Sequence, residues 1–584
     1  MAIGISKLSL PHSNAIEMPK WAHLGLAALL LISTTQEGAA DIDWWENASL
    51  YQIYPRSFQD SDGDGIGDLK GITSRLGYLK EIGITATWLS PIFTSPMSDF
   101  GYDISNFYDI DPIFGTLDDF DALIVEAKSL GVKIILDFVP NHSSDENVWF
   151  EKSVNREDGY DDFYVWDDGK LNEETGARDP PSNWVSVFSG PMWTWNEKRQ
   201  QYFLHQFQVK QPDLNFTNPM VREHMLDVLK FWLDRGVDGF RIDAVPHIYE
   251  HRNADGSYPD EPVSGWGSDP NAYDYHDHIY TKDQPATVDL MYEWREFLDN
   301  YRAQNGGDSR VLLAEAYSSV ETLSAYFGNS THQGTQLPMN FQLMYLSGYS
   351  TAKDVVGSID YWMNTMWKEH QTANWVVGNH DTNRVADRMG AHKVDLLNVI
   401  VNALPGASVT YYGEEIGMSN VDVECTGDSC EDRDGERTPM QWTAGKNADF
   451  SDGESTWLPL SPEYQRYNVQ TERGVSRSSL NIFKGLQALK SSSAFLAFKD
   501  DGGFSYEAVT EQVLQIIRTN KISEEYRILV NMGNGMEILD GLAPKTYEYV
   551  LATAYSTHYP GQKADLSQRI ILMPYEAVVL RWLA

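Results

Sequence analysis

The feature that most constrains this chain is a recurring grammar in which a helix-like stretch closes on Gly and a short β-rich apolar run follows at once. It is clearest in LKEIG-ITATWLSP at 79–91, AKSLG-VKIILDFVP at 127–140 and WLDRG-VDGFRIDAV at 232–245. Alternation of this kind is the mark of parallel βα units. Further candidate strands are LYQIYP at 50–55, VLLAEAY at 311–317, PMNFQLM at 338–344, NWVVGNHD at 374–381 and ASVTYYGEE at 407–415. Eight strands with helices between them, and no G-x-G-x-x-G turn after the first, predict an α/β fold built on a closed (β/α)8 TIM barrel rather than an open doubly wound sheet.

Two stretches break the rhythm. Some seventy residues rich in Trp, Asn, Gly and Pro (143–218) separate the third strand from the helix before the fourth, which predicts an inserted subdomain overhanging the barrel mouth. After about Ser493 the pattern turns to period-2 runs such as VLQIIRTN and YRILVNM, which predicts a C-terminal antiparallel β-sandwich. At 584 residues the chain is too long for one ordinary core. The expected division is a signal peptide at 1–40, the barrel at 41–142 and 214–492, the inserted subdomain at 143–213 and the sandwich at 493–584. Trp184, Trp193 and Trp195 fall in the insertion, as subdomain core or as sugar-stacking faces.

The formal charge of −39 sets up a field that repels phosphate backbones and anionic lipid, so neither nucleic acid nor an obligatory membrane partner is expected. Lys20, the apolar run Trp21 to Ile32 and the small residues Gly38-Ala39-Ala40 read as a cleaved leader, with Met18 as an alternative start, and hence as a secreted, extracellular protein. Only Cys425 and Cys430 are present. That excludes a disulfide framework or a four-cysteine zinc site and leaves one short disulfide or two free thiols.

Polar residues at barrel-strand C-termini face the active site of such a fold. Here they are Asp137, Asn141, His142, Asp243, Glu315, His380 and Asp381. A mouth lined by carboxylates, with no cofactor motif and no nucleophilic Ser or Cys setting, points to glycoside hydrolysis by two carboxyl groups. DFVPNH (137–142), GFRIDAV (239–245), LAEAY (313–317) and VVGNHD (376–381), in that order, resemble the four core motifs of the α-amylase superfamily, glycoside hydrolase family 13. QPDLNF (211–216), PIFTSPMSDFGYDI (91–104) and RTPMQW (437–442) narrow the resemblance to the α-glucosidase branch, and DWWENASLYQIYPRSF (43–58) is most similar to insect maltases.

The resemblance implies Asp243 as nucleophile, Glu315 as general acid and then base, and Asp381 as a third carboxylate bracing the sugar. Arg241, two residues before Asp243, would share its strand face and lower its pKa. His142 and His380 would donate to sugar hydroxyls as neutral imidazoles. Tyr102 would stack on the non-reducing glucose, with Asp99 and Arg437 closing the pocket over it and so imposing exo-action. Ala244, small where α-1,6-acting members carry Val, implies preference for maltose and sucrose over isomaltose.

Asp60, Asp62, Asp64, the Ile66 carbonyl and Asp68 follow the alternating rhythm of a calcium loop, with Gly71 where an EF-hand has Glu, and the branch places a structural Ca2+ there. No organic cofactor is expected. Among the N-x-S/T sequons, Asn329 and Asn47 are the candidate glycan sites, whereas Asn141 and Asn215 fall inside active-region motifs. The expected function is therefore a secreted, retaining, exo-acting α-glucosidase on small oligosaccharides. The alternatives are a glucosyltransferase using the same intermediate and a non-catalytic scaffold or receptor of this fold, such as a subunit of an amino-acid transporter.

Overall fold

The structure, a computed structural model, describes residues 42–366, 371–423, 433–497 and 503–584. The leader expected at 1–40 and the pair Cys425 and Cys430 lie outside the described residues. Eight parallel strands alternate with helices: β1 (Ser49–Ile53), α1 (Leu69–Ile82), β2 (Ala86–Leu89), α2 (Leu117–Leu130), β3 (Lys133–Phe138), α3 (Pro219–Asp234), β4 (Gly239–Ile242), α4 (Pro285–Asn305), β5 (Val311–Ala314), α5 (Val320–Tyr326), β6 (Leu337–Pro338), α6 (Ala352–Met366), β7 (Asn374–Val376), α7 (Val394–Ala403), β8 (Ala407–Tyr411) and α8 (Ser479–Lys490). The pairing order is β6-β5-β4-β3-β2-β1-β8-β7, a barrel whose backbone ladder is open only between β6 and β7.

The helix-Gly-strand grammar has a local cause. Gly83 and Gly131 end α1 and α2 in the left-handed region (φ 89° and 71°), and their amides turn back onto Leu79 and Ala127 carbonyls of the last helical turn. The chain then reverses directly into β2 or β3. Along each strand, side chains alternate between two cores. In β5, Val311 and Leu313 fill the barrel interior, while Leu312 and Ala314 pack outward against the helices. The same alternation turns Asp137, Arg241 and Asp243 inward, because Leu136, Phe138, Phe240 and Ile242 belong to the outer core.

The sixth strand departs from expectation. Only Leu337 and Pro338 pair, and Gln342–Tyr345 form a 3₁₀ turn instead of continuing the strand. Proline has no amide to give a ladder, so side chains complete the seam. Asn374 accepts from the Asn340 amide at 2.8 Å and donates to the Pro338 carbonyl at 2.7 Å, while Asn340 donates to the Asn374 carbonyl at 3.0 Å.

Between β3 and α3 the chain forms a helix (Val148–Val154) and a small antiparallel sheet of Trp166–Asp167, Gln201–Leu204 and Trp193–Asn196. Trp184 and Trp193 are buried and stacked beside Tyr258, so they are core. Tyr258 comes from the long connection between β4 and α4 (243–284). That connection packs on the insertion, with Trp184 donating to the Pro259 carbonyl at 2.8 Å. Nothing in the sequence pattern marks this second excursion, which lacks both periodicities.

The C-terminal strands are β9 (Phe504–Ala508), β10 (Val513–Thr519), β11 (Glu524–Asn531), β12 (Glu537–Asp540), β13 (Thr546–Ala552), β14 (Lys563–Asp565), β15 (Arg569–Leu572) and β16 (Ala577–Leu583). An antiparallel sheet in the order β9-β10-β11-β16-β13-β14 faces the two-stranded ribbon β12-β15 across its own core of Leu529, Leu539, Tyr549, Leu572 and Val578. The other face, with Leu514, Ile516 and Ile528, joins the main core of the barrel. Residues 493–496 still form a helical turn, so the sheet begins at Phe504.

The β6–β7 seam can be tested. Asn374→Leu strands the Asn340 amide and the Pro338 carbonyl in a buried site, each worth about 1 to 3 kcal/mol. The thermal midpoint should fall well below that of the parent, and an unchanged midpoint would show that the seam carries no stability.

Candidate active site

Arg241 and Asp137 are register partners across β4 and β3. Arg241, 1% exposed, places Nη1 at 2.7 and 2.9 Å from the two Asp137 oxygens and 2.5 Å from Asp243 Oδ1. Its Nη2 lies 2.7 Å from Glu315 Oε2. The indole of Trp88 lies under the guanidinium, 4.8 Å from it, and its N–H donates to Asp137. One cation thus holds three buried carboxylates from three adjacent strands.

Burial pushes all three carboxyls up, and a single guanidinium shared among them only partly opposes it. Glu315 is pushed up to about 7 by burial, with Asp243 and Asp381 raising it further. The expected lowering of Asp243 by Arg241 is present as a pull, but burial outweighs it because the same charge also serves Asp137 and Glu315. Asp137 accepts from Arg241, Trp88 and Tyr102. Glu315 Oε2 accepts from Arg241 and, at 3.1 Å, from the Ala244 amide.

Asp381 is different. Burial would raise it, but Arg433 at 2.6 Å and Arg437 at 3.0 Å hold it well below the usual carboxylate range, so it stays ionised.

Burial lowers His142 to about 4 and His380 well below its ordinary value, which favours their neutral forms. Their ring nitrogens are already engaged, however. Asn141 Nδ2 lies 3.1 Å from His142 Nδ1, and His142 Nε2 lies 3.1 Å from the Tyr102 carbonyl oxygen. Gln52 donates to His380 Nδ1 at 2.9 Å, and His380 Nε2 meets the Tyr102 hydroxyl at 2.6 Å. Tyr102 stacks on His380 with ring centroids 5.3 Å apart, which fixes it as a wall of the site.

These groups line a cavity of about 430 Å³, within the range of small-ligand sites. Asp99, Tyr102, His142, Asp243, Glu315, His380 and Asp381 all face it. The arginine lining it beside Asp99 is Arg433, with Nη2 3.3 Å from Asp99 Oδ1, rather than Arg437, which is 1% exposed and lies behind Asp381 and the His380 carbonyl. Gln211 completes the Asp99 setting at 2.9 Å. The insertion supplies Val187, Phe188 and Phe207 to the wall, and the β4–α4 connection supplies His247, Tyr273 and Lys282. Sequence reading singled out none of these. Arg433 lies four residues before RTPMQW, outside the motif that drew attention.

In the loop after β1, Asp60, Asp62 and Asp68 bring one carboxylate oxygen each within 4.8 Å of the others. Asp60 Oδ1 and Oδ2 accept the Asp62, Gly63 and Gly65 amides at 2.7 to 2.9 Å. Asp68 caps α1. Asp64 stands outside that convergent group, accepting the Ile66 amide at 2.7 Å. Hard oxygen donors converging in this way fit a cation such as calcium.

Residues 52–498 match the model of the α-amylase catalytic domain. The chain belongs to the α-amylase family. It is 99% identical over 567 residues to maltase A2 of Drosophila melanogaster, covering 97% of this chain and 100% of that one. It is 48% identical over 467 residues to the salivary α-glucosidase of Anopheles gambiae, covering 77% of this chain and 78% of that one. Among solved structures it resembles an α-glucosyl transfer enzyme, XgtA, with a TM-score of 0.80 and 32% identity, covering 93% of this chain and 100% of that one. No helix among the described residues is long and apolar enough to cross a membrane.

The two arginines should separate by experiment. Arg437→Ala leaves Asp381 short of a buried cation and should cost about 3 kcal/mol, read as a lowered thermal midpoint. Arg433→Ala, at a quarter-exposed side chain, should lower the midpoint by less, because water can reach the carboxylates it leaves.

Proposed function

We propose that this chain is a retaining, exo-acting α-glucosidase that releases glucose from maltose-like oligosaccharides and sucrose. The observation that carries the reading is the single guanidinium of Arg241 gripping both Asp243 and Glu315 at the rim of one cavity. Asp243 attacks the anomeric carbon as the glycosidic C–O bond breaks, and Glu315 passes its proton to the departing oxygen. The β-glucosyl ester is then opened by water whose proton returns to Glu315, giving α-glucose. Asp381, ionised and braced by two arginines, holds sugar hydroxyls and the positive charge that develops on the ring.

Exo-action is supported by the Asp99–Arg433 pair and Phe188, which wall one side of the cavity. The linkage preference is supported by Ala244, which lines the cavity at φ 48°, a conformation costly for a β-branched residue. Secretion is supported by the salivary relative. The likeness to a glucosyl transfer enzyme favours a second reading, transfer to an acceptor sugar, which differs only in what opens the ester. Product analysis at high maltose separates the two: mainly trisaccharide means transfer, and mainly glucose means hydrolysis.

Asp243→Asn should fold normally and lose about a thousandfold or more in glucose release from maltose. A variant within tenfold of the parent would overturn the mechanism. Because Glu315 must be protonated to act as acid, activity should fall as pH rises through about 7. With an aryl glucoside whose leaving group needs no proton, this alkaline limb should disappear.

Asp60, Asp62 and Asp68 would hold a structural calcium, whose role is to neutralise three converging carboxylates at the start of α1. Chelation should then lower the thermal midpoint, and added calcium should restore it. No change on chelation would remove the site.

A further inference from the structure

A second cavity, of about 460 Å³, lies where α7, the segment 461–479 and the loop at 554–555 meet. Its floor is acidic. Asp395 has Oδ1 buried without a hydrogen-bond partner, and Glu472, 6% exposed, engages Oε2 with the Leu480 amide. Burial without an adjacent cation raises both carboxyls, Asp395 to about 6 and Glu472 to about 8. Its rim is basic and aromatic. The exposed Arg466 lies 5.0 Å from the Tyr467 ring, and Tyr555 is half exposed. Arg477 donates to the Ser556 and His558 carbonyls at 2.8 and 3.3 Å, which pins the loop that carries Tyr555.

Three ligand chemistries can be weighed against this lining. A metal ion needs converging oxygens, and among the described residues Asp60, Asp62 and Asp68 form the one such group. A phosphate or carboxylate would meet Asp395, Glu463 and Glu472. A neutral polyhydroxylated ligand suits every wall: its hydroxyls donate to the acidic lining of Asp395, Glu463 and Glu472, another accepts from Arg466, and the C–H face of a pyranose lies on a tyrosine ring.

We propose that this cavity is a second, non-catalytic site for a neutral oligosaccharide, held by Asp395, Arg466, Tyr467 and Tyr555. That the oligosaccharide is an α-glucan rests on the function proposed above. The site also touches residues 416–419, in the connection that follows β8.

The test is equilibrium dialysis of the full chain, as the Asp243→Asn variant so that sugar is not consumed, against labelled maltotriose. Two sites per chain are expected. Adding Tyr467→Ala and Tyr555→Ala should leave one site with unchanged affinity, and adding Arg466→Ala instead, at an exposed side chain, should weaken the second site at least fivefold. A single site in Asp243→Asn itself overturns the proposal, as do two sites that survive every substitution. Glucose release by the parent is scored separately, so a chain that binds at the second site yet leaves maltose intact would overturn the function and keep the site.

Discussion

Three carboxylates at the mouth of this barrel depend on one guanidinium. Arg241 is sealed from water and faces Asp137, Asp243 and Glu315 together, so three negative charges that could not otherwise share a dry site are held within reach of one another. The charge balance is short by design of the surroundings: burial raises each carboxyl, one cation cannot satisfy three, and a proton is retained. Donors crowd Asp137 and one oxygen of Glu315. Carboxyls raised together beside one cation are thus a consequence of charge counting as much as of residue identity.

The fold supplies the geometry through strand periodicity. Because side chains alternate along β3, β4 and β5, Asp137, Arg241, Asp243 and Glu315 all point inward at the carboxyl ends, directly above the apolar layers of Ile135, Val311 and Leu313. The apolar floor keeps out water, and the strands fix the spacing. Asp381 is built on the other side of the open seam with arginines of its own, and so is held well below the usual carboxylate range while Glu315 is pushed up to about 7. Two carboxyls of similar intrinsic acidity are driven in opposite directions by where the cations stand.

Much of the architecture was legible because it rests on local rules. Glycines that cap helices in the left-handed region, apolar runs of strand length and the late change to period 2 each have a cause within a few residues. The weak point was β6, where PMNFQLM reads as a strand but a proline denies the ladder an amide and two asparagines close the seam instead. The β4–α4 connection was also invisible, since its shape comes from packing on the insertion rather than from any pattern of its own.

The sequence by itself determined that Arg241 and Asp243 share one face, because i, i+2 spacing on a strand puts them there whatever surrounds them. Only the tertiary structure decided the rest of the site. It set Arg433 rather than Arg437 beside Asp99, tied up both histidines, brought Phe188, Phe207 and Lys282 to the wall and let burial outweigh Arg241 at Asp243. Those outcomes depend on contacts between segments tens to hundreds of residues apart and on how much water is excluded when they meet. Neither quantity is written in the spacing of residues along the chain.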